Sequence, residues 1–450
     1  MSQLVRQESP LNTEPYSKEL ATSFVTPNDL VFNRNHDSVI KADAPESNDT
    51  NWSIGISIED DERLKDLHLS SQSLPLDSLK KEHDLVEVTA TLECAGNRRA
   101  ELASSHQPAE GIQWGNAVIA NVVWGGASLR SVLLRAGVPD PFSHHSDLTQ
   151  LEPSAEASLS DCAEWARPLH LHLFSAQEST ESDDPTRKEY FAASIPLPTA
   201  LHPNQHCLLA YEYNGTPLTQ RHGAPLRAVI PGHVGARWVK WLNGVRVSAR
   251  ENESPPMRQD YKLLVPSGAE DGEKELKEKA KDGSEFRKEE LRKERPLQRL
   301  EASCSITMPW KDGQTIEVGE KGMVEVKGYA VGQDGSPATQ VFVAIVPEAE
   351  EEKSSEDVLA SLAADLEWKQ AAIRTQDGQS DQRKADSKWS WAWTLWQLDL
   401  PVPPSDKKWA LIARCVTASG VEQEKISQWN LRGFHNRSWS VVRNLSIKSS

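Results

Sequence analysis

Cys94 stands in the run Thr91-Leu92-Glu93-Cys94-Ala95-Gly96-Asn97-Arg98-Arg99, with a small-residue turn and two arginines directly after it. Neighbouring cations favour the thiolate, the form of cysteine that ligates metals and attacks carbon. The spacing therefore predicts a thiol of lowered pKa. The same residue types also fit a buried structural cysteine beside two solvated arginines. A second chemical stretch runs from Arg221 to Leu242 and holds His222, Arg227, Arg237 and Lys240 without one acidic residue. Glycines and prolines break it into turns. Glycine lets backbone approach a ligand closely, and cations then bind its anionic groups. A third, weaker cluster is Phe32-Asn33-Arg34-Asn35-His36, rich in donors and free of carboxylates. Taken alone, it fits an ordinary turn or an anion site. His170 and His172 alternate in Leu169-His170-Leu171-His172-Leu173, but no third ligand stands at a matching spacing. They are expected on the outward face of a strand.

The elements that must position these groups are partly visible. Leu85 to Leu92 alternates apolar and polar residues, which predicts a half-buried strand with Cys94 at its mouth. Leu129 to Ala136 reads as a helix stopped by Gly137, with Pro139 beyond. Residues 1–25 are polar and aperiodic and are expected to be disordered. Residues 26–256 form the expected catalytic domain. Residues 257–300 form an expected charged linker, whose mixed-charge part from 268 reads as a solvated helix or a disordered insert. Residues 301–450 carry short strands with Gly, Pro and Asp turns, the texture of a β-sandwich. Trp389, Trp391 and Trp393 alternate with smaller residues and are expected to share one face. A separate sandwich rich in tryptophan fits a dimer-forming module.

Composition excludes several classes. The 450 residues carry a formal net charge of −16, and the basic runs are mixed with acidic ones. That argues against nucleic-acid or anionic-membrane partners, while a local arginine cluster can still hold a small anion. The five cysteines are odd in number and widely spaced, which argues for a reducing compartment without a disulfide framework. No apolar run is long enough to span a membrane, and no secretory or peroxisomal signal is visible. The expected location is cytoplasmic, with mitochondrial and peroxisomal alternatives open.

With these motifs in this order, the sequence resembles the sulfite oxidase family of molybdenum enzymes. Cys94 to Arg99 is similar to that family's metal-ligand motif, and Trp429-Asn430-Leu431-Arg432-Gly433 is similar to part of its C-terminal domain. The resemblance implies an α+β fold: a mixed α/β molybdopterin domain followed by an immunoglobulin-like β-sandwich that dimerises. It implies a molybdenum–molybdopterin cofactor with Cys94 as metal ligand. Phe32, Asn33, Arg34, Asn35, His36, Ser175, Ala176, His222, Arg227, Trp238, Val239 and Lys240 would hold the cofactor. The family usually has an aspartate just after the Ser175–Ala176 pair, whereas this chain has Gln177. Arg34, Arg99, Trp114, Tyr261 and Arg432 would form the substrate pocket, where fixed guanidiniums suit an oxyanion.

The implied activity is oxidation of sulfite to sulfate. The roughly 25 residues ahead of the catalytic core are too few for a cytochrome b5 domain, and no haem motif is present. Electrons are then expected to pass from the metal to dioxygen or to a separate acceptor. A nitrate reductase-like oxidoreductase and a non-catalytic molybdopterin-binding relative are the alternatives.

Overall fold

Two β-sheets and a C-terminal sandwich meet around Cys94 in the computed structural model. It describes residues 3–40, 51–67, 69–102, 106–179, 188–269, 271–317, 322–348, 354–363, 365–374, 389–401 and 408–448. The expected strand is present as Val86–Glu93, paired antiparallel with Ile119–Ser128 from Val86↔Gly126 to Glu93↔Ile119. Leu208–Tyr213 lines the other side of Ile119–Ser128 and carries Thr216–Pro217 and Arg227–Val229. A second sheet runs in the order Gln72–Pro75, Ser53–Ile58, Leu242–Ser248, His170–Ser179, Glu189–Pro196. Its one parallel pair joins Ser53–Ile58 to Leu242–Ser248. The helix Leu129–Arg135 is capped by Ser128, whose side chain accepts from the Ser131 amide, and it buries Leu129, Val132 and Leu133. That i, i+3, i+4 stripe is what an amphipathic helix offers a core. Gly137, at φ 108°, ends it, because a residue with no Cβ adopts that conformation without strain.

The C-terminal sandwich stacks two sheets. One runs Ser303–Met308, Met323–Val331, Thr394–Pro401, Ala372–Ile373. The other runs Thr315–Ile316, Ser440–Ile447, Trp409–Thr417, Ala338–Pro347, Lys369–Gln370. Val326, Trp396, Val341 and Leu411 fill the space between them. The mixed α/β domain followed by a β-rich domain matches the fold read from sequence. All five cysteines are buried and unpaired. Among the described residues no helix is long and apolar enough to cross a membrane.

Three expectations need correction. Residues 1–25 are not featureless: Gln3–Gln7 pairs antiparallel with Asn12–Pro15, and the buried Glu14 accepts from the Gly115 amide at 2.9 Å and from Arg6 at 2.6 Å. A polar hairpin is ordered here by directed hydrogen bonds, which hydropathy does not register. The mixed-charge part of the insert forms two helices, Gly272–Lys279 and Glu285–Lys293, which is the helical one of the two readings. Its few apolar anchors, Leu276, Ala280 and Leu291, pack on Leu102, Leu264, Trp429 and Leu431. His172 does not face outward. It is 4% exposed and its Nε2 lies 2.8 Å from the Arg250 carbonyl. The three indoles do not share a strand face, because they precede Thr394–Pro401. Trp391 enters the first domain, where the Thr91 amide donates to its carbonyl at 2.9 Å, and Trp393 stacks on Tyr329.

Candidate active site

The strand Val86–Glu93 delivers Cys94 into a tight turn. Its amide donates to the Val118 carbonyl at 3.0 Å, its carbonyl accepts from the Asn97 amide at 2.9 Å, and the Gly96 amide lies 3.4 Å from Sγ. Glycine is required at 96, because an added Cβ would sit 2.7 Å from the Arg99 guanidinium and 3.1 Å from Trp114. The two arginines then part. Arg98, at φ 64°, turns away to Glu101 and to the Ser438 carbonyl at 2.7 Å. Arg99 stays, held by the carbonyls of Arg432 and Ile112, each at 2.7 Å, over the Phe434 ring. Burial raises the Cys94 pKa, although Arg34, the Gly96 amide and Arg99 pull it down. The expected lowering is thus reversed: desolvation of the thiolate outweighs the nearby guanidiniums.

Cys94 opens onto a cavity with about 690 Å³ of space not filled by protein atoms, part of it open to solvent. Phe32, Arg34, His36, Ser175, His222, Arg227, Trp238, Val239, Lys240 and Tyr261 line it together with Cys94. Of the residues expected at the cofactor, Asn33, Asn35 and Ala176 lie behind this wall. Asn35 is fully buried and receives the Lys240 ammonium on its Oδ1, which fixes Lys240 from the rear. Asn33 donates to Thr13 at 2.8 Å, and the Ala176 amide donates to the Trp241 carbonyl. Of the residues expected at the substrate, Arg34 and Tyr261 line the cavity, whereas Arg99, Trp114 and Arg432 do not. Arg99 and Arg432 adjoin it, since both guanidiniums lie over Phe434 and Tyr261 stacks on the same ring at 5.2 Å. Trp114, 1% exposed, backs the Gly96 turn.

The electrostatics of the cavity are one-sided. Arg34, Arg221, Arg227 and Lys240 line it together with His36, and among the described residues no carboxylate does. Burial depresses the Arg227 pKa to about 9, and its Nε has no partner. Burial, with Arg227 and Arg34 adding repulsion, pushes Lys240 well below its ordinary value. Uncompensated cations of this kind are costly unless an anionic ligand joins them. Beside the cavity the signs reverse. Asp260, 2% exposed, lies 3.0 Å from His36 and 2.8 Å from Arg432. Burial disfavours its carboxylate, but Arg432 and His36 overcome this and hold it well below the usual range.

Residues 42–256 match the oxidoreductase molybdopterin binding domain, and residues 356–445 match the Mo-co oxidoreductase dimerisation domain. The sulfite oxidase of Arabidopsis thaliana is 31% identical over 444 residues, covering 97% of this chain and 92% of that protein. The chain belongs to the sulfite oxidase family. The mitochondrial sulfite oxidase of Homo sapiens is 33% identical over 97% of this chain, which spans 65% of the human protein's length. A nitrate reductase from Oryza sativa subsp. japonica is 28% identical over 96% of this chain and 40% of its own length. The sulfane dehydrogenase SoxCD from Paracoccus pantotrophus shares the fold, with a TM-score of 0.63 at 20% identity, covering 96% of this chain and 83% of that one.

Sequence reasoning passed over Asp260, Arg221 and Phe191 as functional groups, and noted Gln177 only as a departure from the family. Asp260 sits directly before Tyr261, and an acid between two cationic motifs is the signal that could have marked it. Arg221 opens the acid-free stretch and lines the cavity. Phe191 lies in a strand with no chemical motif, so nothing in the sequence points to it. Gln177 lines the cavity where the family usually carries an aspartate. Its side-chain amide donates to the Ser38 carbonyl at 2.9 Å.

Proposed function

We propose that this chain oxidises sulfite to sulfate with a molybdenum–molybdopterin cofactor and passes two electrons to dioxygen or to a separate acceptor. The observation that carries the reading is the pocket itself: one cysteine sulfur at the edge of a cavity lined by four Arg and Lys side chains and, among the described residues, by no carboxylate. Those residues fit the cofactor. Arg227, Lys240, Arg221 and His222 suit its phosphate, Trp238 and Phe32 suit the pterin plane, and a thiolate suits a redox metal. When bound, the cofactor supplies two-electron redox chemistry and oxygen transfer.

The chain's own residues supply binding and orientation. Arg34, Arg99 and Arg432 stand around the Cys94 end and offer forked donors to a small dianion. Tyr261 is kept protonated at neutral pH, because burial raises its pKa, and it donates rather than accepts. Asp260 fixes Arg432 and keeps His36 charged, so the anion meets preset donors. The matched dimerisation domain supports a homodimer formed through the sandwich.

Cys94→Ser tests the ligand assignment. Protein made in a host that builds the cofactor is expected to keep most of its pterin and lose sulfite-dependent reduction of ferricyanide, cytochrome c and dioxygen. Retained turnover would refute the role of Cys94. Turnover of nitrate in place of sulfite by the unaltered chain would move the reading to a nitrate reductase.

A further inference from the structure

The turn that carries Cys94 is held from outside its own domain. Tyr329 lies in the strand Met323–Val331 of the sandwich and is 1% exposed. Its hydroxyl accepts from the Asn97 side-chain amide at 3.1 Å and donates to the Asn116 carbonyl at 2.8 Å. Both donors and the oxygen of the Asn97 side chain are then engaged. Its Nδ2 also donates to Glu93 at 2.8 Å, and its Oδ1 accepts from the Val118 amide at 3.2 Å. Its backbone amide closes the turn on the Cys94 carbonyl. An amide with three of its four hydrogen-bond positions used, on both ends, has one orientation, and that orientation sets where the turn points Sγ. Tyr329 is itself held by stacking on Trp393, with ring centroids 5.6 Å apart and planes 21° apart.

A second tie acts on the same turn. The buried Arg98 donates to the Ser438 carbonyl, and Asn436 donates to the Arg98 carbonyl at 3.1 Å. The His435 amide meets the Ala95 carbonyl at 2.7 Å. Three successive parts of the turn thus rest on the C-terminal domain.

We propose that Tyr329 is a positioning residue for the metal-ligating sulfur: the sandwich sets the direction of Cys94 through Asn97, in addition to any part it takes in dimerisation. This rests on the reading of Cys94 as metal ligand. Groups that orient a ligand from outside the coordination sphere typically change metal affinity or activity by about 10–100-fold when removed. Tyr329 acts through one intervening side chain, so the lower end applies.

The test is Tyr329→Phe in the full-length, cofactor-loaded chain. The ring and its stacking survive, so fold and sedimentation are expected to match the unaltered chain, with molybdenum and pterin content within about twofold. The kcat for sulfite is expected to fall about tenfold with KM unchanged, and the sulfur-to-molybdenum absorption band to shift. In apo-protein the Asn97 and Arg98 amides are expected to exchange hydrogen about tenfold faster. Unchanged kcat and an unchanged band would overturn the proposal. Should Tyr329→Phe fail to fold, Asn97→Ala is read in the same way, with the same outcomes deciding. Cys94→Ser separates the two readings. Loss of the band there, with no change in Tyr329→Phe, defeats the positioning role alone. Persistence of the band in Cys94→Ser defeats the ligand assignment beneath it.

Discussion

Asp260→Asn removes the carboxylate that faces both His36 and Arg432 while keeping the side chain's shape. In the unaltered protein, burial disfavours the His36 imidazolium. Hydrogen bonds to Asp260 and Asp37 outweigh that cost and raise its pKa from 6.5 to about 9. Such a shift corresponds to about 3 kcal/mol at 1.36 kcal/mol per unit. The folded value lies above the unfolded one, so this stabilisation is complete below pH 6.5 and is lost as pH rises through 9. Between pH 7 and pH 9 it amounts to about 2 kcal/mol, or roughly 4–8 °C in the unfolding midpoint of a domain this size. Burial also raises Glu93, to about 7, so its titration ends within the lower part of the window, in both proteins alike. Lys240, pushed down by burial, gives the opposite slope across the window, so the difference between the two proteins is the quantity to read. Thermal unfolding of apo-protein and its Asp260→Asn variant at pH 7, 8 and 9 measures it. Asp37 still faces His36 in the variant, so the unaltered chain is expected to lose the larger part of those degrees, the share owed to Asp260, relative to the variant. Curves that stay parallel to within about 1 °C would refute the assignment of His36 as a buried imidazolium held by Asp260.

Two further outcomes test the pocket and the seam. Lys240→Met removes a cation that donates to the carbonyls of Arg34 and Arg221 and to the Asn35 side chain. Pterin content per chain is expected to fall roughly 10- to 100-fold, the worth of one charge-assisted hydrogen bond, when assayed fluorometrically after cofactor release. Gly232→Ala would place a Cβ 2.3 Å from the Trp391 ring at φ +70°. Overpacking and the left-handed backbone together predict a loss of about 2–5 kcal/mol, read as a lowered denaturant midpoint.

Much of the site could be read in the sequence, because its chemistry is local. Cys94 and Arg99 share one turn, and His222, Arg227, Trp238 and Lys240 share one acid-free stretch. The structure brings both segments to one cavity. What stayed hidden depends on pairing across the chain. Asp260 shows its importance only when His36 and Arg432, from both ends of the sequence, converge on it. The thiol's pKa direction was misread for a related reason. Sequence spacing shows nearby arginines, but it does not show that Arg98 turns away or that Sγ is desolvated. The N-terminal hairpin was missed because it is ordered by directed polar contacts, which leave no periodic trace.

The charge distribution carries a thermodynamic consequence. The chain is acidic overall, yet the cavity at Cys94 collects four Arg and Lys side chains and, among the described residues, no carboxylate. Without a ligand, burial disfavours the charged forms of Arg227 and Lys240, and Lys240 is repelled further by Arg227 and Arg34. An anionic ligand reverses that penalty at the place where it is concentrated, so the folded state gains more from binding than contact area alone would give. Asp260 does not relieve this strain, because its charge is committed to His36 and Arg432 beside the cavity. Two regions of opposite design therefore lie side by side: one internally paired, which keeps its donors preset, and one left unpaired, which is completed by what it binds. The Cys94 turn lies beside both, with Arg34 and Arg99 acting on its sulfur.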